Sequence, residues 1–102
     1  MNCKKPENMK NIPAIGATDG TPFDEKTIYQ RWYEPASGFY WLVAEYDETE
    51  DLAFGFANLA CDMNAEWGLI PMNEIRGIGA MRDTSWQPMT FHDAKIVIAA
   101  KQ

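Results

Sequence analysis

One histidine and two cysteines are all the soft metal ligands in these 102 residues. His92, Cys3 and Cys61 match no zinc-ligand spacing. They make no nucleophilic pair either, because nothing in the sequence supplies a third group to orient them. Long apolar runs are missing too. No stretch approaches the ~20 residues of a membrane span, and Met1-Asn2-Cys3-Lys4-Lys5-Pro6-Glu7 has lysines with no apolar stretch behind them. The expected compartment is therefore the cytoplasm, with both thiols free. No strand leads into a Gly-x-Gly-x-x-Gly loop; Gly77 and Gly79 read as a helix stop and a turn. Basic residues are scarce, nine against fifteen acidic ones, for a net charge of −6. Nucleic-acid affinity rests on Lys and Arg neutralising phosphates, so direct DNA or RNA binding is disfavoured. An acidic surface keeps a small protein soluble or steers it toward a basic partner.

What the chain does have is apolar and aromatic material, 46% and 13% of its residues. That is enough for one core and too little chain for two domains. Residues 1–11 read as a polar lead-in and 12–102 as a single domain, with Ile12 to Ile15 a small plug on the sheet edge. From Lys26 to Leu69, apolar and polar residues alternate in short runs separated by turn chemistry, the pattern of an antiparallel sheet. The runs are Lys26 to Glu34, Phe39 to Tyr46, Leu52 to Leu59, and a fourth around Trp67 and Leu69 that Pro71 stops. Alternation puts Ile28, Gln30 and Trp32 on one face of the first strand. In the second it groups Tyr40, Leu42, Ala44 and Tyr46 opposite Phe39, Trp41 and Val43. The small residues Ala53, Gly55 and Ala57 leave a face open to close packing. Met72 to Arg76 reads as a short helix, and residues 78–88 as irregular. Phe91, Ala94, Val97, Ile98 and Lys101 fall at helical spacing after Thr90, an N-cap candidate. The β-branched run Ile96-Val97-Ile98 leaves a last edge strand as the alternative. The expected fold is α+β: a meander of four or five antiparallel strands, one short helix and a possible C-terminal helix.

Several pieces fall in a familiar order: Glu25-Lys26-Thr27-Ile28, Trp41 to Asp47, Phe54-Gly55-Phe56, Glu66-Trp67-Gly68 and Glu74-Ile75-Arg76-Gly77. Across roughly residues 12–93 they resemble a small bacterial family, domain of unknown function 2958. The chain departs from it at Met81-Arg82-Asp83, where the family tends to have Glu-Arg-Asp, and at Ile70-Pro71-Met72. The name carries no activity. The resemblance implies a context, the accessory genes of plasmids, phages and other mobile elements, where anti-defence proteins also cluster.

The candidate sites follow from charge and aromatic placement. Asp47, Glu48, Glu50 and Asp51 form a hairpin tip that lacks the spacing of a calcium loop. With Asp62 and Glu66 they make an acidic patch able to mimic phosphates to a nucleic-acid-binding protein. Glu45 and Asp47, two apart on a strand, have the spacing of an acid–base pair, with a strand-end hydrogen-bonded pair as the simpler reading. Arg76, Arg82, Asp83 and Trp86 form a second candidate surface, since Arg and Trp dominate binding hot spots. A pocket around Glu66, Trp67, Arg76 and Arg82, in a ligand-binding domain or small enzyme, is the alternative. The sequence points first to a non-enzymatic, protein-binding module without metal or cofactor. Its expected partner is a CRISPR effector subunit or a nuclease in the bacterial cytoplasm. Whether it acts as a monomer or a homodimer is open at this stage.

Overall fold

The run Phe39 to Asp47 is apolar on both sides of the pleat, and such a strand is stable only when both sides are covered. In a computed structural model, which describes residues 9, 11–59 and 65–101, it is the middle strand of the molecule. The strands are β1 (Thr27–Ile28), β2 (Gln30–Glu34), β3 (Phe39–Asp47), β4 (Leu52–Asn58), β5 (Ala65–Pro71), β6 (Met81–Arg82) and β7 (Met89–Thr90). The helices are α1 (Met72–Gly77) and α2 (Phe91–Lys101). Five strands pair antiparallel in the order β5-β4-β3-β2-β6, while β1 and β7 form a separate two-stranded ribbon. The fold is α+β, as expected.

A hydrophobic cluster lies on each face of the sheet. On the first face Trp32, Trp41, Val43, Tyr46, Ala53 and Ile70 pack with Met72 and Ile75 of α1 and with Met9 and Ile12. On the second, Ile28, Leu42 and Ala44 meet Phe91, Ala94 and Ile98 of α2. Ala53 and Ala57 belong to the first cluster, so most of the small-residue face is filled from within the chain. Beyond the start of β2, opposite Val43, residues from the N-terminal side take over its place beside β3. The Tyr46 N–H donates to the Pro13 carbonyl at 2.9 Å.

Two expectations about strand faces change. The predicted first strand breaks at Tyr29: Ile28 turns to the second cluster with the β1–β7 ribbon, while Trp32 stays in the first. In β3 the register shifts between Val43 and Glu45, a β-bulge that sets two residues against one on β4. After it Ala44 and Glu45 share the second face, and Tyr46 joins Trp41 and Val43 instead of Leu42. Gly55 sits at this irregularity for a steric reason. A Cβ there would lie 1.9 Å from the Leu42 carbonyl oxygen.

Helix α1 runs through Gly77, one residue past the Arg76 end that the glycine stop suggested. Ala80 N–H bonds the Ile75 carbonyl, Gly79 N–H bonds that of Arg76, and Gly79 takes φ +96°. That is a Schellman cap, and its left-handed residue is Gly79. The Thr90 hydroxyl accepts the Asp93 N–H at 3.2 Å, so Thr90 caps α2 as its position predicted, and the C-terminal segment is helix rather than edge strand. β6 arises inside the stretch 78–88 read as irregular, and β7 directly after it.

Candidate functional site

Two polar networks grow from the bulge, one on each face. On the second face the Glu45 carboxylate is nearly inaccessible, 1% exposed, beneath three successive turns over residues 14–21. It accepts the N–H groups of Gly16 (2.8 Å) and Thr18 (3.1 Å) and the Thr18 hydroxyl. Gly16, at φ +92°, makes the turn that aims these donors inward. Lys26, 4% exposed, donates to the Thr18 hydroxyl at 2.7 Å and to the Thr18 carbonyl, and lies 3.8 Å from Glu45. Burial pushes the Glu45 carboxyl up, but the Thr18 hydroxyl, the two N–H groups and the Lys26 charge outweigh it and hold it below its ordinary value. Asp47 accepts the Thr49 N–H in the turn. Glu45 and Asp47 are therefore separately occupied, and the acid–base reading gives way to two structural carboxylates.

On the first face the Tyr46 hydroxyl donates to Asp51 at 2.6 Å, and Arg76 from α1 grips the same carboxylate with two nitrogens at 2.7 and 3.3 Å. The Arg76 guanidinium also lies over the Trp32 ring, 5.5 Å from its centre. Asp51 has φ +52°, and its carbonyl accepts the N–H of Met72, the first residue of α1. The Arg76 hydrogen bonds hold the Asp51 carboxyl below its ordinary value. Burial and the bond to Asp51 push the Tyr46 phenol up to about 12. Tyr46 and Lys26, central to these networks, carried no signal in a single sequence; each is recognised only by its partner across the fold.

The predicted surfaces are partly dispersed. Glu48 and Glu50 project from the hairpin tip, whereas Asp51 is turned back to Arg76. Glu66 is exposed on β5 opposite Ala57, while the tip adjoins Leu52. Leu52 and Ala57 are about 17 Å apart at ~3.4 Å per residue, so Glu66 does not extend the tip. Asp62 lies outside the described residues, as do Cys3 and Cys61. Arg76 belongs to the first face, but Trp86 packs on the second cluster and donates its indole N–H to the Ile28 carbonyl at 3.1 Å. The sheet therefore separates the two anchors of the proposed Arg and Trp surface. Arg82 pairs in register with Trp32, and Asp83 bridges to Arg31 at 3.2 Å. A pocket joining Glu66, Trp67, Arg76 and Arg82 does not form, because β5 and β6 are opposite edges of the sheet. A cavity of about 400 Å³ between α2 and the sheet is lined by Tyr40, Asn58, Lys95 and Ile98 among others, and by none of those four.

The chain matches no family model, no curated protein and no solved structure. Its chemistry has to be read from the residues alone. Among the described residues no group of three or more His, Cys, Asp or Glu is placed to hold a metal ion. No helix among them is long and apolar enough to cross a membrane. His92 is exposed on α2. The hairpin end carries the exposed Glu48 and Glu50 beside the Tyr46–Asp51–Arg76 network.

Proposed function

We propose that the chain is a non-enzymatic protein-binding module whose acidic hairpin tip engages a basic groove on a nucleic-acid-handling protein, a CRISPR effector subunit or a nuclease. The observation that carries this reading is the construction of the tip. Glu48 and Glu50 are exposed, while Asp51 is clamped by Tyr46 and Arg76 at the tip's base. A turn tied down at its base has less backbone freedom to lose on docking, which favours association. A surface that neutralises phosphates is a natural counterpart to such a row, and charge-led encounter weakens steeply with salt. The resemblance to a family of mobile-element accessory proteins supports the choice of a defence protein as partner.

The test is affinity capture from a bacterial host with the tagged chain and with a Glu48→Gln/Glu50→Gln variant, washed at low and at high salt. A nuclease or CRISPR subunit held at low salt, released at high salt and not held by the variant is the expected result. Equal capture by both proteins, or capture of no such protein, overturns the reading.

A further inference from the structure

The two edges of the main sheet differ in kind. β6 is two residues long and leaves little to pair with, as natural edges often do. β5 has seven residues, from Ala65 to Pro71, and no described strand lies beyond it. Which of its backbone groups point outward follows from the ladder. The Met72 N–H bonds the Asp51 carbonyl, the pair directly following Leu52–Pro71 in the register. Hydrogen-bonded pairs alternate in an antiparallel ladder, so Ile70, Gly68 and Glu66 bond inward to β4. Ala65, Trp67 and Leu69 then turn their N–H and C=O groups outward. Pro71, next in that series, has no N–H, so the free edge ends there.

The side chains of this edge fit a copy of themselves. Leu69 is 60% exposed although its neighbours on the second face, Trp67 and Phe54, are half-buried. Phe23, stacked on Trp67 at 4.6 Å, is 50% exposed. Glu66 is the one charge on the strand. If two copies of β5 meet antiparallel about a two-fold axis through Trp67, Ala65 faces Leu69 of the other copy and Glu66 faces Gly68. Every outward N–H and C=O from Ala65 to Leu69 then finds a partner, and the two glutamates avoid each other. Centring on Glu66 would set like charges opposite one another, which is destabilising.

We propose that the β5 edge is a homodimer interface, pairing two copies antiparallel into one continuous ten-stranded sheet. The surface lies away from the acidic tip, so dimerisation and partner capture stand or fall separately. An isologous contact of this kind closes on itself and forms no filament.

The test is sedimentation equilibrium of the full chain over a wide concentration range, with amide hydrogen exchange on the same samples. Leu69→Lys places a charge at the seam, and Ala65→Pro removes an outward N–H that the β4 ladder does not use. Circular dichroism confirms that each variant is folded. The expected result is twice the chain mass for the wild type, the single-chain mass for both folded variants, and slowed exchange at Trp67 and Leu69 that disappears on dilution. A monomeric wild type with rapidly exchanging Trp67 and Leu69 amides would overturn the proposal and leave the edge to a different chain. A dimer that survives in both folded variants would overturn it as well.

Discussion

Glu45 and Tyr46 are adjacent in the chain, yet each anchors a different kind of polar network. Glu45 is sealed with Thr18 and Lys26 under the 14–21 turns, and both charged side chains are at most 4% exposed. Tyr46 opens onto Asp51 and Arg76, whose side chains are about a third exposed. Desolvation separates them. A buried ion pair is costly to form and far more costly to break on one side, while a half-exposed pair is partly replaced by water. The first network therefore works as an internal fastening, and the second as a half-exposed brace at the base of the hairpin tip.

The sharpest way to break this contrast is Glu45→Ala. It strands the Lys26 charge and removes the acceptor for Gly16 and Thr18, so urea unfolding is expected to show a loss of about 3–5 kcal/mol. Joint replacement by Glu45→Leu and Lys26→Met should recover part of it. A loss no larger than that from Arg76→Ala would erase the distinction. Gly55→Ala attacks the bulge that directs the two residues apart, and forcing a methyl against the Leu42 carbonyl is expected to cost about 1–3 kcal/mol. Arg76→Ala follows at about 1 kcal/mol, read from the same denaturation curves.

Titration sharpens the comparison from the other side. Glu45 and Asp51 have folded pKa values below their ordinary ones, so their contributions are present above the unfolded carboxylate range. They disappear as pH falls through the folded values. Tyr46 runs the opposite way. Its contribution is complete below its ordinary value of 10 and is lost as pH rises through about 12. Thermal melts should show an alkaline decline in that window that Tyr46→Phe removes and Glu45→Gln leaves in place. The smallest effect belongs to Lys95→Ala, since the exposed Lys95–Asp24 pair should change stability by no more than ~0.5 kcal/mol.

Much of the fold was legible because local pattern and final structure agree. β3 and β4 alternate, Pro71 ends β5, and Thr90 caps a helix with Phe91, Ala94 and Ile98 on its inner side. β6 and β7 were not legible. Two-residue strands carry no period, and Met81 pairs with Tyr33 and Met89 with Ile28 only because the whole chain brings them together. The bulge was hidden for a related reason, since an extra residue in one strand is defined only against its partner. That single uncounted residue moved Tyr46 off the face that alternation gave it and set Glu45 on the same side as Ala44. It also hid the Lys26–Thr18–Glu45 network, whose members no spacing rule connects. At the candidate site, the acidic tip could be placed from composition and turn position. The separation of Arg76 from Trp86 could not, because it depends on which face of the sheet each element crosses.

The close approach of Gly55 to Leu42 has a consequence for how the central hairpin forms. If β4 slid by two residues against β3, alternation of faces would be preserved and an alanine, Ala53 or Ala57 according to direction, would occupy the spot where no Cβ fits. Hydrophobic patterning alone tolerates that error, and the bare backbone of Gly55 does not. One missing methyl group acts as an alignment key, admitting the native pairing and jamming its nearest look-alikes while the chain is still assembling.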